Sequence, residues 1–296
     1  MAWRTVIISS ECRVSLKRSQ LSVERADGTV TVPVEDIAVC VLEHRGITIS
    51  TALLSALCGA GAAVAVCNNR HLPNGLMLPF HSHSRQSQIA ALQVGWSEPF
   101  RKRAWQKIVQ AKIINQGYCL ARRDPDQGKT ITEMAKRVVS GDIKNREAHA
   151  ARVYWPALMG KGFIRGANDF PNAFLNYGYT VMRACLARAI VGAGLLPCFG
   201  LHHDNDLNAF NLADDLIEPF RPFVDAAVTG LMSGRDKQGD LTKTDRAALA
   251  ELPATQVLIS GELQTILNAA ELVAESLVRA IRQKNASELC LPEFSM

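Results

Sequence analysis

Between residues 201 and 222 the chain reads LHHDNDLNAFNLADDLIEPFRP, in which His202 and His203 are followed by five carboxylates: Asp204, Asp206, Asp214, Asp215 and Glu218. Imidazole nitrogen with carboxylate oxygen is a mixed donor set that suits Mn2+ or Mg2+ better than the thiolate-rich sites of structural zinc do. Helix capping explains part of the same pattern. With Asn211 as N-cap, Asp214 and Asp215 fall in a first helical turn, where the helix dipole favours negative charge. That reading leaves Glu218 and the histidines without a reason. Helical spacing places Glu218 on the face of Asp214 or Asp215, with Leu212, Leu216 and Phe220 as the buried stripe. Pro219 and Pro222 predict a kink just past Glu218.

A third ligand must come from elsewhere, and KNREAHAARVYW at 144–155 offers a candidate. Glu147, Ala151 and Tyr154 share a helical face, and Glu147 is flanked by Lys144, Arg146 and Arg152. Taken alone, a glutamate among arginines is an ordinary surface ion pair.

The elements that would position these groups change character along the chain. Val14 and Leu16, Leu21 and Val23, then Val30, Val32 and Val34 recur at every second position, with Ala26, Asp27 and Gly28 as a hairpin turn between two of the runs. Pro33 predicts that the last of these strands lies at a sheet edge. IAVCVLEH reads as a more fully buried strand, STALLSALCGAG as a short helix, and AAVAVCN as another strand, ended by a turn at Pro73, Asn74 and Gly75. HSHSRQS at 81–87 reads as a linker, and its His81 and His83 lack the carboxylate or cysteine that would make them a metal site. From residue 88 the period becomes helical. Trp105, Ile108, Val109, Lys112, Ile113, Gln116 and Leu120 fall three and four apart, and 130–140, 145–155, 172–192, 245–252 and 255–284 follow the same rule. The expected fold is α+β: a β-rich domain over 1–80, a linker over 81–87 and an all-α domain over 88–296.

At 296 residues, 48% of them hydrophobic, the chain can build a substantial core. Eight scattered cysteines with no CxxC pair and no secretory signal predict reduced core thiols and a cytoplasmic protein. The most apolar stretch, 53–67, is interrupted by Gly59 and Gly61 and is shorter than the roughly 20 residues of a spanning helix, so no membrane segment is expected. The net charge of +5 hides a regional imbalance. Residues 85–165 hold 16 Lys and Arg against 6 Asp and Glu, leaving the rest of the chain net acidic. A polyanion is the natural partner of such a region, although solvated helix faces would carry the same charge.

Three stretches together resemble the CRISPR-associated protein one family, the integrase and endonuclease of spacer acquisition. They are EAHAARVYW at 147–155, NAFLNYGYTVMRA at 172–184 with GLLPCFGLHH at 194–203, and LADDLIEPFRPFVD at 212–225. WQKIVQAKIINQ at 105–116 and HLPNG at 71–75 resemble the branch that accompanies type II systems. The resemblance runs in order over essentially the whole chain. It implies that Glu147, in the motif E-x3-A-x2-Y, His203, closing G-L-H-H, and Glu218, in D-L-x-E-P-F-R, are the catalytic residues and ligands of a divalent metal, Mn2+ or Mg2+. Ile217 stands where the motif often has Met, an apolar exchange that touches no ligand. Asp215 is then an auxiliary acid and His202 a support, while Asn172, Asn176, Tyr177 and Tyr179 build and orient the site.

The implied reaction joins the 3′-OH ends of captured double-stranded DNA to a CRISPR array, with hydrolysis when water is the nucleophile. The implied assembly is a homodimer formed through the β-rich domain, two dimers being bridged by CRISPR-associated protein two. Lys102, Arg103, Lys107, Arg122, Arg123, Arg146, Arg152 and Arg165 are the candidates for contact with DNA phosphate. Two other readings stand beside this one. A non-catalytic nucleic-acid-binding protein would bind DNA regardless of Glu147, His203 and Glu218. A metal-dependent hydrolase of a small phosphorylated substrate would show no salt-dependent DNA binding.

Overall fold

The computed structural model describes residues 2–25, 28–69, 73–80, 83–234, 239 and 241–295. The period-two segments form strands β1 (Arg4–Ile8), β2 (Arg13–Lys17), β3 (Gln20–Arg25), β4 (Gly28–Pro33), β5 (Ile37–Leu42) and β6 (Thr48–Ile49). Helix α1 (Thr51–Gly59) follows, then β7 (Ala63–Cys67) and β8 (Pro73–Met77). One sheet has the order β4-β3-β2-β6, so the Pro33 strand is at an edge as its missing N–H requires; the other has the order β1-β5-β7-β8. Arg18 and Ser19, both at positive φ, make the two-residue turn between β2 and β3. The turn expected at Pro73–Gly75 is a strand instead: β8 pairs antiparallel with β7, Val66 opposite Gly75. Ala26, Asp27, His71, Leu72 and His81 lie outside the described residues.

The unbroken apolar run of β5 has a clear cause. Ile37, Cys40 and Leu42 join a core with Val14, Leu21, Leu53 and Leu57, while Ala38, Val39 and Val41 pack with Ala184, Cys185 and Leu267 of the helical part. Both faces of the strand are therefore covered.

The helical part comprises α2 (Gln86–Val94), α3 (Glu98–Ala121), α4 (Pro125–Ala135), α5 (Arg146–Met159), α6 (Phe170–Gly192), α7 (Asn211–Leu216), α8 (Arg221–Leu231) and α9 (Lys243–Ala250). Next come a hairpin, β9 (Gln256–Ile259) with β10 (Glu262–Thr265), and α10 (Ile266–Gln283). The hairpin corrects the helix expected from residue 255: Ser260 and Gly261, both at positive φ, turn the chain, and Val257 and Ile259 bury at period two. The helix expected over 130–140 stops at Ala135, and α2 takes in the last two residues of the expected linker, Gln86 and Ser87.

Helix α3 is the spine of this part, and α4 packs against it where glycine leaves room. A Cβ on Gly117 would meet Thr132 Oγ1 at 2.1 Å, and one on Gly128 would meet Ala121 Cβ at 2.6 Å. The two parts are joined by more than chain continuity: Glu43, buried beyond β5, accepts from Tyr177 of α6 at 2.6 Å and from Arg246 of α9 at 3.1 Å. Among the described residues no helix is long and apolar enough to cross a membrane.

Candidate active site

His203 is set by Asp215. The Asp215 carboxylate is wholly buried and accepts from the amides of Leu201 at 2.5 Å and of His202 and His203 at 3.1 Å each. It also lies 2.7 Å from His203 Nδ1. A carboxylate can only accept, so Nδ1 carries the proton and the Nε2 lone pair of the neutral ring is left to coordinate. Gly200 makes this loop possible, because a Cβ there would meet His203 O at 2.3 Å and Asp215 Oδ2 at 2.8 Å. His202 stacks on Trp105 of α3 with centroids 4.3 Å apart and an interplanar angle of 2°. Arg101, one turn earlier on α3, donates from Nε to Leu201 O at 3.0 Å.

The capping explanation holds only in part: Asp214 lies in the first turn of α7, but Asn211 is not the N-cap. Phe210 precedes α7 and makes no side-chain cap, while Asn211 Nδ2 donates to the carbonyls of Cys198 and Asn205. Asp214 accepts from Arg183 and Asn208, each at 2.7 Å. Glu218 lies beyond α7 rather than on it, in a 3-10 turn over Glu218–Phe220, where Pro219 interrupts the helix before α8 begins at Arg221.

Glu147, in the first turn of α5, and Glu218 meet over one cation. Lys112 of α3 donates to Glu147 Oε1 at 2.5 Å and forms an ion pair with Glu218 Oε2, and Arg221 Nε donates to Glu218 Oε1 at 2.8 Å. The flanking Lys144, Arg146 and Arg152 are not the partners of Glu147. Burial alone would raise the Glu218 carboxyl, but the Lys112 and Arg221 charges outweigh it and hold it well below the usual carboxylate range. The same acids keep Lys112 above its ordinary value against the opposing effect of burial. Beneath this centre Asp225 of α8 accepts from Tyr154 at 2.8 Å and from Tyr179. Burial lifts its carboxyl to about 6 although both hydroxyls favour the ionised form.

Among the described residues no three His, Cys, Asp or Glu side chains close on one point as a metal cage. The ammonium of Lys112 takes the place between Glu147 and Glu218. The donor set nonetheless fits a hard divalent cation. Glu218 Oε2 is buried and, although it faces that ammonium, has no hydrogen bond of good geometry. Such an oxygen keeps a lone pair for a cation, and His203 Nε2 adds a nitrogen.

Lys112, Arg221, Asp225 and Trp105 were not read from the sequence as site residues. The signal for Lys112 was present: a lysine inside an otherwise buried helical stripe must have a counter-charge. Of the candidate phosphate contacts, Lys102, Arg103, Arg122, Arg123 and Arg152 are exposed, Arg146 is half-buried, and Lys102 also pairs with Glu98. Lys107 instead donates to Ser287 O and Leu289 O, and Arg123 to Leu158 O and Thr229 O. Arg165 is half-buried against α6. His83 Nδ1 accepts from the Arg85 amide, a local turn.

A β-rich first part packed on a helical second part is an architecture with solved counterparts. A casposase bound to integration product superposes with a TM-score of 0.75 at 20% identity, covering 96% of this chain and 92% of that one. A Cas6-RT-Cas1--Cas2 complex gives 0.75 at 16% identity, covering 97% of this chain and 36% of that longer one. Sequence narrows the class: the model of CRISPR associated protein Cas1 matches residues 5–260, and the chain belongs to that family. It is 40% identical over 295 residues to the CRISPR-associated endonuclease Cas1 of Neisseria meningitidis serogroup C (strain 8013), covering 99% of this chain and 97% of that one.

Proposed function

We propose that this protein is a metal-dependent DNA endonuclease and integrase of CRISPR adaptation. The observation that carries this reading is the meeting of Glu147 and Glu218 over one cation, with His203, its Nδ1 bound to buried Asp215, close enough to Glu218 to feel its charge. A relative 40% identical over nearly the whole chain bears the name endonuclease. The casposase with the same fold was solved on an integration product.

Glu147, Glu218 and His203 Nε2 would hold Mn2+ or Mg2+. The ion, when bound, supplies the charge that activates an incoming hydroxyl and stabilises the departing oxygen. The chain does the rest. Asp215 fixes the tautomer and aim of His203, Lys112 and Arg221 keep buried Glu218 ionised while Lys112 also pairs with Glu147, and Trp105 braces His202 beneath the loop. In the proposed reaction the 3′-OH of a captured duplex attacks a phosphodiester of the array. One phosphorus–oxygen bond forms, the one to the original 3′-oxygen breaks, and water in place of the 3′-OH gives cleavage.

The proposed assembly is a homodimer formed through the β-rich part, with Cas2 bridging two dimers; partnership with Cas2 is supported by a Cas6-RT-Cas1--Cas2 complex that contains a chain of the same fold. The test uses purified protein with Cas2, a short duplex with free 3′-OH ends, a supercoiled plasmid carrying leader and repeat, and Mn2+. Covalent joining by wild type and none by His203→Ala or Glu218→Ala is expected. Equal joining by all three proteins overturns the site. DNA binding without joining by any of them would favour the non-catalytic reading.

A further inference from the structure

Asp225 is a carboxylate that the proposed chemistry does not use, and it is buried at 1% exposure. Its two oxygens are divided between two helices: Oδ2 accepts from the hydroxyl of Tyr154 on α5 at 2.8 Å, and Oδ1 from the hydroxyl of Tyr179 on α6. Each tyrosine leads to one of the glutamates. Tyr154 follows Glu147 by about two turns on the same face of α5, so a hold on its hydroxyl is a hold on the helix that carries Glu147. The Tyr179 ring carries the Arg221 guanidinium, whose carbon lies 4.5 Å from the ring centroid, and Arg221 donates from Nε to Glu218 at 2.8 Å. Buried contacts thus run from one glutamate to the other beneath the centre.

Fold stability does not account for this carboxylate. Burial lifts it to about 6 against two hydroxyl donors, so at neutral pH the fold holds an ionised group that an isosteric amide would replace without charge. Lys112 cannot set the spacing in a loaded site. It ties Glu147 to Glu218 directly, but its ammonium occupies the place between them that a metal would take. We propose that Asp225 is a positioning residue: through Tyr154 and Tyr179 it fixes Glu147 and Glu218 at the separation where one divalent cation can bind both. The inference rests on the metal-dependent function proposed above.

The test measures Mn2+ binding by the full chain, from the electron paramagnetic resonance of free Mn2+, beside urea unfolding of the same samples at neutral pH. The binding that counts is what wild type shows and Glu218→Ala lacks. Asp225→Asn should be at least as stable as wild type yet bind this Mn2+ about tenfold more weakly, the size of effect typical of groups that orient metal ligands. Tyr154→Phe, which removes one link and leaves the carboxylate, should weaken Mn2+ by a similar factor. Adding it to Asp225→Asn should cost no further affinity, because both act through one path. DNA joining should need correspondingly more Mn2+ in each variant, with the rate recovered at saturation. Unchanged Mn2+ binding in either single variant, or a loss in Asp225→Asn that only follows loss of stability, overturns the proposal while the metal reading stands. If wild type binds no more Mn2+ than Glu218→Ala, the metal reading falls and this one with it.

Discussion

Asp215 Oδ1 lies 2.7 Å from His203 Nδ1, and the same carboxylate collects the three amides of residues 201–203. Asp215 is thus the keystone of the loop. Asp215→Asn replaces acceptor oxygen by an amide facing donors, and should cost about 3 kcal/mol of stability. Denaturant unfolding reads that loss. DNA joining should fall with it, and wild-type stability and joining in the variant would refute the role.

The hydrogen bond that His203 donates to Asp215 raises its pKa above the ordinary 6.5, against the opposing effect of partial burial. The sign for stability follows: what the His203–Asp215 pair gains from protonation is fully present below 6.5 and is lost as pH rises through the raised value. Activity runs the other way, because coordination needs the neutral ring. Joining should rise with pH along a limb above 6.5 and fall in mild acid. A profile flat from about pH 5 to 8 would count against direct ligation by His203.

Lys112→Met removes the cation shared by Glu147 and Glu218. A buried carboxylate deprived of a partner typically costs about 3–5 kcal/mol. The metal-free variant should therefore melt lower than wild type, and Mn2+ should raise its melting temperature more than it raises that of wild type, since the ion would replace the lost charge. Equal Mn2+ shifts in the two proteins would mean that Lys112 and the metal do not share a place.

Asp225 keeps its proton up to about pH 6 in the fold and loses it near the ordinary value of 3.8 when unfolded. Its raised folded pKa contributes stability below the unfolded value that is lost as pH climbs toward 6, on the order of 3 kcal/mol. Asp225→Asn should abolish that dependence and gain on wild type as pH rises from about 3.8 to about 6, the difference levelling off above that. Parallel urea titrations at the two pH values decide the matter, and an unchanged difference between the proteins would exclude the Asp225 titration.

The sequence by itself determined a good deal. Period two before residue 80 and period 3.6 after it gave the order of strands and helices, because which side of an element is buried is written in its own residues. Pro33 marked an edge strand and Pro219 a break beyond α7, while Glu147, His203 and Glu218 were singled out by the resemblance of three motifs to a family, not by spacing. The hairpin over 256–265 was legible too, in Ser260–Gly261 between alternating apolar residues, but the periodic run that follows it obscured the turn. What only the tertiary structure decided is how charges are compensated. Glu147 had three basic neighbours in sequence, yet Lys112, 35 residues away, is its partner. Asp214 and Asp215 sit side by side in sequence, yet one faces Arg183 and the other is buried under His203. A buried charge must find its counter-charge through space, and packing alone sets which distant groups come within reach.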